Sequence, residues 1–108
     1  MSADKHKKLD RTIFHVATES DWNECMESAH YIPAAFSGEG FIHCCEIHQL
    51  VGVMQRYFQG KNGLLLLHID INKLRAPLKY EGFGELFPHL YGPLNKDALI
   101  GMETLERV

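Results

Sequence analysis

The sequence predicts an α+β fold with small mixed or antiparallel sheets and two helices. Short runs of β-branched and aromatic residues, each bounded by glycine, proline or asparagine, read as strands. The run Leu64–Ile69 is continuously apolar, as a central strand buried on both faces would be. Between Ile47 and Phe58 the apolar residues recur at helical spacing instead. A chain of 108 residues suits one domain with a real core, here residues 11–108, preceded by a disordered polar leader at residues 1–10.

Taken in order, Thr12–Ala17 is the first strand expected, being rich in β-branched and aromatic types. Thr18 with Asp21 three residues later forms a capping-box pattern. Trp22, Cys25, Met26 and Ala29 then give a short helix with one apolar face, which Tyr31-Ile32-Pro33 ends because the residue before proline avoids the α region. A turn at Gly38–Gly40 leads to a short strand, Phe41-Ile42-His43. The second helix carries the stripe Ile47, Leu50, Val51, Met54 and Phe58 and stops at Gly60 and Lys61-Asn62-Gly63. After the central strand, whose end places His68 and Asp70 on one side, Pro77 breaks the chain before a strand at Leu78–Glu81. A glycine-rich loop over 82–86 leads into an aromatic turn, Phe87–Pro93, and the last strand runs from Ala98 to Leu105. That makes about five strands in all.

Composition removes several functions. The formal charge is −3, which disfavours nucleic-acid binding through a basic face. No apolar run is long enough to cross a bilayer, and charges at the N-terminus are not followed by a signal-peptide core. Three cysteines, two of them adjacent, suit a reduced cytoplasmic protein better than a disulfide framework.

Chemistry gathers at the junction Gly38–Gln49, where a turn, a short strand and a helix start bring His43, Cys44, Cys45 and His48 together. Their spacing does not favour zinc, since alternate residues of a strand point to opposite sides, and no metal site is expected. Cys45 near a helix start, with His43 or His48 beside it, is a candidate nucleophile, although small cysteines are more often core residues. Seven histidines is a high count, and His15, His43 and His89 all fall on strands or beside turns from which they can meet in one cleft. Glu81 and Glu85 lie among glycines and aromatics, where a carboxylate can be tuned for acid–base work, and Glu103 in the last strand is a third candidate. Glycines 82, 84 and 92 match no dinucleotide or phosphate-loop pattern.

With Ile13-Phe14-His15, Glu39-Gly40-Phe41-Ile42-His43-Cys44, Glu81 and Phe87-Pro88-His89-Leu90-Tyr91-Gly92-Pro93 in this order, the chain closely resembles a family of small bacterial proteins known as domain of unknown function 952. The resemblance runs from Ile13 to the C-terminus. That family is similar to a compact ADP-ribosyltransferase-like fold, whose members bind NAD as substrate in a cleft between two small sheets. The resemblance implies that His15 holds a ribose hydroxyl. His43, in a segment that resembles the Val-His of the NAD-dependent RNA 2′-phosphotransferases, would pack beside the nicotinamide. His89 and Tyr91 would wall the cleft, and Glu81 would assist at the ribosyl centre. The expected function is a small cytoplasmic enzyme or enzyme-derived domain binding a nucleotide such as NAD or ADP-ribose. The alternative is a non-catalytic ligand- or protein-binding module that kept the fold without the chemistry, with a metal-dependent hydrolase third.

Overall fold

Residues 11–106, which the computed structural model describes, run in the order β1 (Thr12–Thr18), α1 (Glu19–Glu24), β2 (His30–Tyr31), α2 (Phe36–Glu39), β3 (Ile42–His43), α3 (Leu50–Tyr57), β4 (Leu64–Asp70), β5 (Leu78–Glu81), β6 (Phe87–Leu90), β7 (Leu94–Asn95) and β8 (Leu99–Leu105). The leader expected at residues 1–10 lies outside the described residues. All pairings are antiparallel: β1-β4-β8 form one sheet, β3-β6-β5 a second, and β2 with β7 a two-stranded ribbon. The α+β class with small antiparallel sheets is therefore what the chain adopts.

The continuous apolar run does what its composition demands. In β4, Leu65, Leu67 and Ile69 enter one core with Ile13, Ala17, Tyr31, Ile42, Cys44 and Leu90. Leu64 and Leu66 enter the opposite core with Phe14, Val16, Cys45 and Met54. Alternation along β1 follows the same two-residue period, so the first sheet is covered on both faces. At about 25 cal/mol per Å² of apolar area, each fully buried leucine of β4 contributes roughly 1.5–3 kcal/mol.

Among the described residues, a backbone bridge between Phe14 and Cys45 stitches the two three-stranded sheets. Phe14 donates its N–H to the Cys45 carbonyl at 2.8 Å and accepts from the Cys45 N–H at 2.7 Å. This couples the free edge of β1 to the chain just beyond β3, and the cleft opens beside that stitch.

Several local expectations change. The first helix stops at Glu24, capped at its start by the Thr18 hydroxyl accepting from Asp21 N–H at 3.0 Å. Its supposed apolar member Met26 is 58 % exposed. Residues 36–39 form α2 rather than a bare turn, closed by Gly40 at φ +83°, a left-handed cap that favours glycine. In the second helix Ile47 and Val51 point to solvent, and the buried stripe is Leu50, Val53, Met54 and Phe58. A single 3-10 turn at Ile47–Gln49 starts it, with a reciprocal capping box between Glu46 and Gln49. Phe87–Leu90 is a strand, the centre of the second sheet, not an aromatic turn. The last strand begins at Leu99, after a 3-10 turn at Lys96–Ala98.

Candidate functional site

A cavity of about 640 Å³ lies against the stitched edge of β1, within the range of small-ligand sites. His15 and Tyr31 are buried members of its wall, whereas Glu39, His43, Glu81 and Gly82 carry it to the surface. His15, His43, His89 and Glu81, which come from three different regions of the chain, thus border one space.

β1 places His15 by period: Ile13, His15 and Ala17 share a face, and His15 occupies the polar gap between two core residues. Its Nδ1 lies 2.5 Å from the His43 carbonyl and its Nε2 lies 2.9 Å from the Tyr31 hydroxyl. A carbonyl only accepts, so Nδ1–H donates to it, and Nε2 accepts from Tyr31 O–H. Burial disfavours the imidazolium and lowers its pKa from 6.5 to about 4. His15 is therefore neutral at pH 7, with both nitrogens held by protein partners. Burial likewise raises the Tyr31 hydroxyl, which stays protonated as the donor.

The backbone beside His15 is less fully used. Ile71 N–H donates to Arg11 C=O, and Glu19 N–H to Gly63 C=O, at the two ends of the β1–β4 ladder. In an antiparallel pair hydrogen-bonded positions alternate. Odd-numbered residues of β1 thus face β4, while Phe14 and Val16 turn their N–H and C=O the other way. Phe14 meets Cys45. Val16 has no hydrogen-bond partner for either group among the described residues, and it lines the cavity.

The second sheet supplies the acid. Glu81 ends β5, and its Oε1 accepts from Tyr91 O–H at 2.5 Å and lies 2.9 Å from His89 Nδ1. The tyrosine hydrogen bond first, and the histidine second, hold Glu81 below the usual carboxylate range. The same contact raises Tyr91. Tyr91 stands behind Glu81 and does not itself line the cavity, while Lys79 Nζ sits 4.9 Å from its ring centroid. His89 stacks on Phe41, with ring centroids 4.0 Å apart and planes at 17°, and His43 meets both edge-on. Nε2 of His43 is bonded to the Glu39 carboxylate.

The other candidates go elsewhere. Glu85 accepts from the buried Gln49 amide at 3.1 Å, and Glu103 pairs with His68 at 2.7 Å; neither lines the cavity. Cys44 and Cys45 are buried, and burial raises both thiols, Cys45 to about 11, which leaves them protonated. Among the described residues no three His, Cys, Asp or Glu side chains are grouped as a metal site requires. No helix among them is long and apolar enough to cross a membrane.

Sequence reasoning missed three contributors. Tyr31 read only as a helix stop, and Glu39 only as part of a turn and of the family motif, with no role in the site. The open edge at Val16 involves no side-chain chemistry, and its one sequence signal is the strand itself.

The crystal structure of protein CC0527 from Caulobacter crescentus is similar to this chain at a TM-score of 0.80 and 26% identity, covering 88% of this chain and 86% of that one. A double mutant of CC0527 gives the same values. Its solution structure gives a TM-score of 0.75 at 26% identity over 89% and 85% of the two chains. All three are structural-genomics targets. No curated protein matches the chain. Residues 16–102 match the family described as "Protein of unknown function (DUF952)". That span includes β3, β6 and the cleft residues His43, Glu81 and His89 but starts one residue after His15, and the chain belongs to this family.

Proposed function

We propose that the cleft binds a nucleotide such as NAD or ADP-ribose, in the manner of an ADP-ribosyltransferase-like fold. The observation that carries this reading is the unpaired N–H and C=O of Val16 at a cavity wall. A buried backbone pair left without partners is costly, and a ligand carboxamide satisfies both groups at once. Its oxygen accepts from Val16 N–H, and its NH₂ donates to Val16 C=O. Nicotinamide carries this group on an aromatic ring, and the Phe41–His89 stack, which lines the same cavity, offers an aromatic surface to it.

Neutral His15 then acts chiefly by position. Its bonds to the His43 carbonyl and to the Tyr31 hydroxyl tie β1 to β3 and to β2, respectively. In the catalytic form of this reading the nicotinamide–ribose bond breaks with its electron pair leaving on nicotinamide. The ribosyl carbon becomes oxocarbenium-like, and an oxygen nucleophile, water or an acceptor hydroxyl, closes on it and releases its proton to solvent. Glu81, kept ionised by Tyr91 and His89, stabilises the positive charge. Both of those contacts fall on Oε1, which leaves Oε2 for the ligand.

A second reading, a ligand-binding module without chemistry, draws on the engagement of His43 with Glu39 and of Glu81 with His89 and Tyr91. Calorimetry with nicotinamide and nicotinic acid tests the binding claim. A carboxylate has no donor for Val16 C=O, so nicotinamide should bind and nicotinate should not; equal binding or none removes the claim. Release of nicotinamide from NAD that stops in Glu81→Gln separates the enzyme from the module.

A further inference from the structure

Phe83, at the tip of the loop between β5 and β6, has a relative exposure of 106 %, the largest of any large apolar side chain among the described residues. Glycines flank it, Gly82 at φ +150° and Gly84 at φ +89°, conformations that favour glycine. The roots of this loop are pinned. On one side Glu81 pairs with Phe87 in the β5–β6 ladder and bonds His89 and Tyr91. On the other the buried Gln49 amide donates to the Glu85 carboxylate at 3.1 Å and to the Leu86 carbonyl at 2.8 Å. A Cβ at Gly82 would lie 2.1 Å from the Glu85 carbonyl oxygen, whereas one at Gly84 would meet nothing within 4 Å. The base of the loop is thus closed tightly and its tip is free. Gly82 and Glu81 both border the cavity, so the loop rises from the cavity edge, with Phe83 one residue beyond the lining and fully exposed.

We propose that Phe83 is a positioning residue that stacks on the purine of NAD or ADP-ribose held in the cleft. This rests on the nucleotide reading above and names the part of the ligand that the loop recognises. Nicotinamide, held at Val16 against the Phe41–His89 wall, uses the aromatic surface inside the cavity. A dinucleotide carries a second ring, which emerges at the rim, and an aromatic side chain at the free loop tip, with the unhindered Gly84 beside it, can close over that ring without disturbing either root. Stacking of this kind tolerates any planar base but needs an aromatic partner.

Isothermal calorimetry on the full chain, with nicotinamide mononucleotide, ADP-ribose and NAD as ligands, tests the assignment in wild type, Phe83→Ala and Phe83→Tyr. The alanine variant should bind ADP-ribose and NAD roughly tenfold more weakly, by the usual loss on removing a base-stacking aromatic. It should bind nicotinamide mononucleotide as wild type does, and the tyrosine variant should restore all three. The unfolding temperature should not move, since the ring contacts nothing in the free protein. Unchanged ADP-ribose affinity in Phe83→Ala, or an equal loss for nicotinamide mononucleotide, overturns the role of Phe83 and leaves the nucleotide reading standing. Wild type that binds none of the three overturns both.

Discussion

Acid should loosen this protein well before its carboxylates protonate, and His15 is the reason. Unfolded, the imidazole titrates at its ordinary 6.5; folded, burial holds it near 4. The unfolded chain therefore binds more protons between those values, and stability falls as pH falls through that window. The contribution is complete above pH 6.5 and spent below pH 4. The displacement is worth roughly 3 kcal/mol over the whole window, and about 2 kcal/mol by pH 5. For a domain of this size that is a sizeable share of the 5–15 kcal/mol available. Urea unfolding followed by the fluorescence of Trp22, the single tryptophan, should show a midpoint about 1 M lower at pH 5 than at pH 7. Replacing His15 by Gln, which keeps a donor and an acceptor but does not titrate in this range, should flatten the profile between pH 5 and 6.5. A wild-type midpoint that stays level across that interval, or a His15 ring that titrates near 6.5 in the folded protein, would refute the reasoning.

Tyr31→Phe removes the donor to His15 Nε2 and leaves a buried acceptor unmet, which should cost about 1–3 kcal/mol by urea unfolding. Gly92→Ala should destabilise by at least about 1 kcal/mol, because φ is +155° there and the new Cβ would lie 2.7 Å from the Ala76 Cβ; Gly38→Ala, with open space and an ordinary backbone, should be near neutral. Iodoacetamide at pH 8 should label Cys25 alone in the native protein and all three cysteines in urea, read by mass; rapid native labelling of Cys45 would contradict its burial and raised thiol pKa.

The fold was legible wherever one residue pattern had one solution. The apolar run of β4 has to be buried on both faces, and the stripe ending at Phe58 has to be a helix. The pattern was silent where tertiary pairing decides. Pro88 argues against a central strand, since proline cannot complete a ladder. Its carbonyl faces Cys44 N–H at 3.0 Å, and on the β5 side it sits opposite Tyr80 at a position without ladder bonds, so the missing N–H is not needed there. Ile47 and Val51 match helical spacing as well as Val53 does, and only the position of the first sheet selects which are buried. At the site, histidines and Glu81 stood out because their side chains carry chemistry. The roles of His15 depended on Tyr31 and a carbonyl at His43, distant in sequence and unremarkable there. Val16 was invisible because what matters is its backbone, left open because the edge of β1 away from β4 is bridged at Phe14 and not at Val16.

The central claim is that the Val16 edge receives a carboxamide-bearing nucleotide. Titrating nitrogen-15-labelled protein with NAD and following the Val16 amide by nuclear magnetic resonance tests it most directly. The claim predicts a downfield, saturable shift of that amide as it gains an acceptor, with smaller shifts at His43 and Glu81 and none at His68. A Val16 amide that stays in place at saturating NAD, or that moves no more than His68, contradicts it.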